Sequence, residues 1–133
     1  MKYLLDTNVL VWFVSGDERL SQSVVRLMER DVEHCRLSRV SVWEILIKQR
    51  LGKLATPGSI LDIVEAMGMR LLGLDDAHLQ ALAALPRAVL TDVFDELLVA
   101  QAMAEGLTLI TSDQKILKAP IMGLAIIDSQ AAV

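Results

Sequence analysis

Short apolar runs alternate with stretches of helical periodicity along the whole chain. Tyr3-Leu4-Leu5 reads as a short buried strand that stops at Asp6. Residues 8–15 read as helical, ended by Gly16-Asp17. Across residues 20–34, Val24, Val25, Leu27 and Met28 line one helical face, and Ser21 supplies an N-cap. Residues 35–38 read as a second strand, 40–51 as a helix stopped by Gly52, and 60–67 as a helix entered after Pro57-Gly58-Ser59. A strand is predicted at 70–74, a helix at 77–85 closed by Pro86, and a helix at 93–105 stopped by Gly106. The clearest strand is 107–111, Leu-Thr-Leu-Ile-Thr; a short helix at 114–117 and a strand at 124–127 complete the pattern.

Strands that alternate with helices predict an α/β domain, with a central, mainly parallel sheet flanked by helices. At 133 residues the chain has the length of a single domain, 1–133, and needs no disulfide or structural metal to fold. In such sheets the ligand crevice lies beyond the carboxyl ends of the strands, where the strand order reverses. Asp6 and Asp113 both fall just after strands. They converge if those strands are neighbours at the switch point.

Two further acids break the pattern of their own helices. Val40, Glu44, Ile47 and Leu51 share a face, as do Asp95, Leu98, Val99 and Ala102, and in each set only the acid is polar. A buried, unpaired carboxylate costs several kcal/mol, so it needs a cation, a proton or a cavity. Each acid also has a plainer reading. The Glu44 face can be half-solvated, Asp95 can sit beside Asp92 in a capped first turn, and Asp6 and Asp113 can be turn or cap residues. Taken together, the four suggest one acidic pocket. An all-oxygen ligand set suits Mg²⁺ or Mn²⁺. His34 and Cys35 are adjacent and His78 stands alone, so no zinc spacing is present.

Composition adds limits. The balance of 17 acids against 13 bases argues mildly against a general nucleic-acid-coating protein, yet setting four acids aside as metal ligands leaves the rest neutral, so nucleic acid is not excluded. Charged residues at 23% and apolar residues at 53% exclude disorder. Uncharged runs fall short of a membrane helix, and Asp6 interrupts the apolar N-terminus too early for a signal peptide. One cysteine, Cys35, gives no disulfide framework. The expectation is a soluble protein of the cytoplasm with no membrane partner. Between residues 35 and 61 the bases Arg36, Arg39, Lys48, Arg50 and Lys53 face a single acid, Glu44. Of these, Arg39, Lys48, Arg50 and Lys53 are candidates to guide a phosphate backbone, against the alternative of an ordinary solvated surface. No dinucleotide or phosphate-loop glycine motif, Gly-x-Ser-x-Gly elbow or Cys/His pair is present. Trp12 and Trp43 sit on helical stripes and read as core or interface rather than base-stacking platforms. Exposed apolar residues in 10–13 and 67–72 are candidates for a dimer face.

Leu5-Asp6-Thr7-Asn8, Ser41-Val42-Trp43-Glu44-Ile45 with Lys48 and Leu51-Gly52-Lys53-Leu54, Asp92-Val93-Phe94-Asp95 and Leu109-Ile110-Thr111-Ser112-Asp113 follow in that order. This arrangement resembles the PIN-domain family, specifically the VapC-type toxins of toxin–antitoxin pairs, over residues 1–127. The resemblance implies an Mg²⁺- or Mn²⁺-dependent endoribonuclease with Asp6, Glu44, Asp95 and Asp113 at the positions of the acidic ligands. Thr7, Asn8 and Thr111 match the polar supporting positions. It also implies a homodimer and a small antitoxin that occludes the site and reaches DNA through its own binding end. The common third motif, His-x-Asp-Pro-Phe-Asp-Arg, is altered here: Leu90, Val93 and Glu96 replace its His, Pro and Arg. Glu96 is expected to weaken phosphate contact or change substrate choice. The competing readings are a PIN-like RNA- or protein-binding module without chemistry and a phospho-acceptor receiver-like domain.

Overall fold

The computed structural model describes residues 2–86, 90, 92–119 and 121–131. Met1 and residues 132–133, the ends of the expected domain, lie outside the described residues. The elements alternate as expected: β1 Tyr3–Leu5, α1 Thr7–Ser15, α2 Gln22–Arg30, β2 Cys35–Ser38, α3 Arg39–Arg50, α4 Ile60–Met67, β3 Arg70–Leu72, α5 Asp76–Ala83, α6 Val93–Glu105, β4 Thr108–Thr111, α7 Gln114–Lys118 and β5 Ile126–Asp128.

All strand pairs are parallel, in the order β3-β2-β1-β4-β5. The chain therefore winds outward from β1 to β3, then returns to lay β4 against the other side of β1. That reversal makes the β1–β4 seam the switch point, where a crevice opens beyond the strand ends. A receiver-like sheet runs 2-1-3-4-5 instead, so the strand order removes that alternative.

Period-2 alternation along the short strands builds two cores. Tyr3 and Leu5 of β1 and Ile110 of β4 enter one, with Val9, Val24, Met28, Val42, Ile45 and Val64 from α1 to α4. Leu4 and Leu109 point the other way, onto Leu98, Val99 and Ala102 of α6 and Ile116 of α7. Burying β1 on both faces explains why its sequence is a continuous apolar run rather than an alternation.

Several boundaries differ from expectation, two of them for local reasons. The 20–34 helix divides at Asp31, whose φ of −112° and ψ of 29° are not helical, and a 3₁₀ turn at Val32–His34 follows. β3 stops at Leu72 because the Gly73 carbonyl is taken by the Gln101 side chain at 3.2 Å and Asp75 already caps α5. The last strand begins two residues late, at Ile126.

The α3 face needs correction. Val40 is buried, but Leu51 at the other end of the expected stripe is 62% exposed, and the helix turns Val42 and Ile45 inward instead. Trp43 is 58% exposed, whereas Trp12 is buried. The segments 10–13 and 67–72 are not an exposed apolar face either. Leu10, Trp12 and Met69 are buried, and Val11, Phe13, Met67 and Leu71 pack half-buried on the first core. Large exposed apolar side chains include Trp43 and Leu46 on α3, Leu51 at its C-terminal cap and Val93 at the start of α6, with Leu61, Leu74, Leu79 and Met122 elsewhere.

His78, which the sequence leaves isolated, is fully buried between α5 and α6. Its Nδ1 accepts from the Asp75 backbone N–H at 3.1 Å, and its Nε2 meets Glu105 Oε2 at 3.0 Å. Asp75 returns the favour by accepting from the backbone N–H groups of Ala77 and His78, which completes a capping box. Asp75, His78 and Glu105 are close enough to hold an ion, but both imidazole nitrogens already have protein partners, so the trio acts as a clamp. His78→Ala is expected to cost about 2–4 kcal/mol, from a cavity plus a lost helix cap and charged hydrogen bond. Urea denaturation measures it; a loss under 1 kcal/mol would show that the clamp is dispensable.

Candidate functional site

One small cavity at the β1–β4 switch point is lined by Asp6, Thr7, Asn8, Glu44, Asp95 and Asp113. Its volume is about 30 Å³, enough for a water or an ion and too small for a nucleotide. All four predicted acids therefore line the same cavity, delivered by four different elements.

The local sequence explains how each arrives. Asp6 follows β1, and its own N–H extends the sheet ladder to the Ile110 carbonyl at 2.9 Å. Its Oδ1 accepts from the Val9 N–H at 3.1 Å and so caps α1, while Oδ2 accepts from the Thr111 hydroxyl at 2.5 Å. Thr111, fully buried at the end of β4, in turn accepts from the Asp113 N–H at 3.0 Å. One hydroxyl thus ties the Asp6 carboxylate to the Asp113 backbone. Asp113 caps α7 through Oδ1, which accepts from the Lys115 N–H at 2.7 Å and the Ile116 N–H at 3.4 Å. For Asp6 and Asp113 the capping reading and the pocket reading both hold.

On α6 the two roles are divided. Asp92 caps the helix, accepting from the N–H groups of Phe94 at 2.8 Å and Asp95 at 3.2 Å. That leaves the Asp95 side chain free to enter the cavity, where it shares a hydrogen bond with Asp113. Glu44 enters from α3 with a side chain only 14% exposed. The Thr7 hydroxyl donates to its Oε1 at 2.6 Å, and Lys48 Nζ stands 3.0 Å from its Oε2.

The charges are crowded. Burial first, and then the hydrogen bond and charge of Asp113 with the charges of Asp92 and Asp6, push the Asp95 carboxyl up to about 8. Burial raises Asp6 as well, against the lowering effect of Thr111 and the backbone N–H groups of Val9, Ser112 and Asn8. The cluster therefore holds a proton near neutral pH, which is what a cation-binding site does when no cation is there. The donor set is all oxygen and fits a hard divalent ion such as Mg²⁺ or Mn²⁺.

The other predicted positions fall as follows. Asn8 is exposed at the rim. Of the four predicted basic residues only Lys48 pairs with the acids. Arg39 lines a separate groove with α4 and β3, of which Asp62 and Arg70 are also part, and Arg50 and Lys53 are exposed at the end of α3 and just beyond it. Glu96 does not face the acids. It lines a different recess with Leu85, Pro86, Leu90 and Ile121, so the expected effect of its charge on phosphate contact at the cavity is not supported by its position. Leu90 is buried in the second core, an apolar residue in an apolar place. Cys35 is buried with its thiol pushed up to about 11 by that burial, so it is no nucleophile.

Comparison with known proteins supplies independent findings. The sequence model of the PIN domain matches residues 3–121. A search of curated proteins found no match. Among solved structures, the chain is similar to one in a DNA-bound VapBC from Salmonella typhimurium, with a TM-score of 0.71 and 20% identity over 96% of this chain and 98% of that one. It is similar to a chain of VapBC-1 from nontypeable Haemophilus influenzae, with a TM-score of 0.69 and 17% identity over 98% and 100% of the two chains. A toxin–antitoxin complex from Klebsiella pneumoniae gives a TM-score of 0.68 and 17% identity, covering 99% and 100%.

Proposed function

This chain belongs to the PIN-domain family, and from that premise we propose that it is a metal-dependent endoribonuclease, the toxin of a toxin–antitoxin pair. The observation that carries the reading is the meeting of Asp6, Glu44, Asp95 and Asp113 in one cavity at the sheet's switch point. A binding module without chemistry has no need of four crowded carboxylates, one of which must be kept protonated near neutral pH. The toxin assignment rests on the solved relatives, which are toxin–antitoxin complexes.

Asp6, Asp95 and Asp113 would hold Mg²⁺ or Mn²⁺. When bound, the ion would acidify a water molecule and offset charge building on a scissile phosphodiester. Thr111 fixes Asp6 and Asp113 relative to each other, and Thr7 fixes the rotamer of Glu44. Glu44 is then positioned to orient a water molecule or to complete the ligand set. Asn8, exposed at the rim, would donate to a backbone phosphate of the bound RNA.

The partners proposed are an RNA substrate, a small antitoxin that covers the cavity and brings DNA binding only indirectly, and a second copy of the chain. The exposed Trp43, Leu46 and Leu51 on α3 and at its C-terminal cap offer apolar surface for a protein contact. The proposed location is the cytoplasm, where RNA is; among the described residues no helix is long and apolar enough to cross a membrane.

The test is mapping of new RNA 5′ ends after brief induced expression, wild type against Asp113→Asn. Asn retains the helix cap, so the variant keeps its fold. Discrete new ends in the wild type alone are expected, and they name the substrate. Identical profiles from two folded proteins would overturn the nuclease reading.

A further inference from the structure

Glu44 and Lys48 form an i,i+4 pair on α3, with the acid on the N-terminal side. Such pairs are common on solvated helix faces, where they are mobile and weak. This one differs in two ways. The Glu44 side chain is 14% exposed, and its other oxygen is held by the Thr7 hydroxyl of a different helix. Both oxygens of Glu44 are therefore occupied, one by a hydroxyl and one by an ammonium. Asp95 and Asp113 are arranged in the opposite way: they turn toward each other, share a hydrogen bond, and form no ion pair with a base among the described residues.

The cavity thus has two unequal ends. At one end Asp6, Asp95 and Asp113 crowd their charges with no basic side chain paired to them among the described residues. At the other, Glu44 already has one. We infer that the Lys48 ammonium, whose side chain is 39% exposed and which stands beside the cavity 3.0 Å from Glu44 Oε2, takes the place that a second divalent ion would have on Glu44, so that each chain takes up one divalent ion. The inference rests on the nuclease reading and goes beyond it by assigning the metal count and a positioning residue. Charge supports it. With one divalent ion and one ammonium, four ionised carboxylates keep a net charge of −1. A second ion would bring this to +1 while sitting against an ammonium of the same sign. Lys48 is therefore withdrawn from the bases that could track a phosphate backbone; its charge is spent on Glu44.

Mn²⁺ binding to the purified, RNA-free chain tests this, by calorimetry and by the electron paramagnetic resonance signal of unbound Mn²⁺. The wild type is expected to bind one Mn²⁺ per chain. Lys48→Met is expected to bind two, and Lys48→Arg, which keeps the charge, one. Adding Glu44→Gln to Lys48→Met is expected to return the count to one. The dependence of cleavage on Mg²⁺ concentration should follow, hyperbolic in the wild type and sigmoidal in Lys48→Met. Two ions in the wild type, or one in Lys48→Met, would overturn the inference while leaving the nuclease reading in place. No ion in any variant would overturn both.

Discussion

Asp95→Asn should lower the rate of RNA cleavage by about 10²–10³-fold or more, the scale seen when a group that stabilises transition-state charge is removed. The reason is geometric. Unlike Asp6 and Asp113, Asp95 has no capping duty, because Asp92 satisfies the N–H groups at the start of α6. Its side chain is free for the cavity, so an amide there removes a ligand charge without breaking the helix. The same substitution should raise the melting temperature of the metal-free protein at pH 8.5, since it removes a charge that Asp113, Asp92 and Asp6 all oppose. Loss of function with gain of stability is the signature of a site residue rather than a structural one. Initial rates on a cleaved RNA and thermal melts of the same preparations measure both. Full activity in Asp95→Asn, or a lowered melting temperature at that pH, would remove Asp95 from the site.

The pairing of stability and activity also shows what a sequence can disclose. The alternation of short apolar runs with helical stretches gave the element order, because β1 is buried on both faces and reads as an unbroken apolar run. Acids that follow strands gave Asp6 and Asp113, and in a doubly wound sheet that position is the crevice. Asp95 was legible because Leu98, Val99 and Ala102 do form a buried stripe behind it. Glu44 was reached through a stripe that is not buried at its far end: Leu51 is solvent-exposed, and what brings Glu44 inward is a hydroxyl from α1, a contact 37 positions away in sequence. The His78 clamp could have been suspected from the Asp75-x-x-His78 spacing of a capping box, but its other partner, Glu105, lies on a later helix and no local pattern points to it. Nor does the local sequence show where Glu96 points. A helical neighbour one residue from Asp95 is turned about 100° away, which here directs it into a different recess.

Divalent-ion affinity should rise steeply with pH up to about 8 and flatten above it. The Asp95 carboxyl stands near 8 in the folded, metal-free chain, against 3.8 in a solvated carboxylate. A folded-state value raised in this way means that the native protein holds the proton more tightly than the unfolded chain. Stability from this group is complete below about 3.8, declines as pH rises through the interval, and is lost once pH passes about 8. An incoming cation must displace that proton, so below pH 8 its apparent affinity should fall by up to tenfold per pH unit, about 50-fold between pH 8 and pH 6. Raised by burial, Asp6 adds to the effect with the same sign. Calorimetry of Mn²⁺ binding at pH 6, 7 and 8 supplies the affinities. Repeating the pH 7 titration in buffers of different ionisation enthalpy counts the protons, with about one released per ion expected. In Asp95→Asn the affinity should be weaker, its pH dependence shallower, and the proton release correspondingly smaller. An affinity that does not change with pH in the wild type would mean that the crowded carboxylates are already ionised, and that something other than a displaced proton keeps them together.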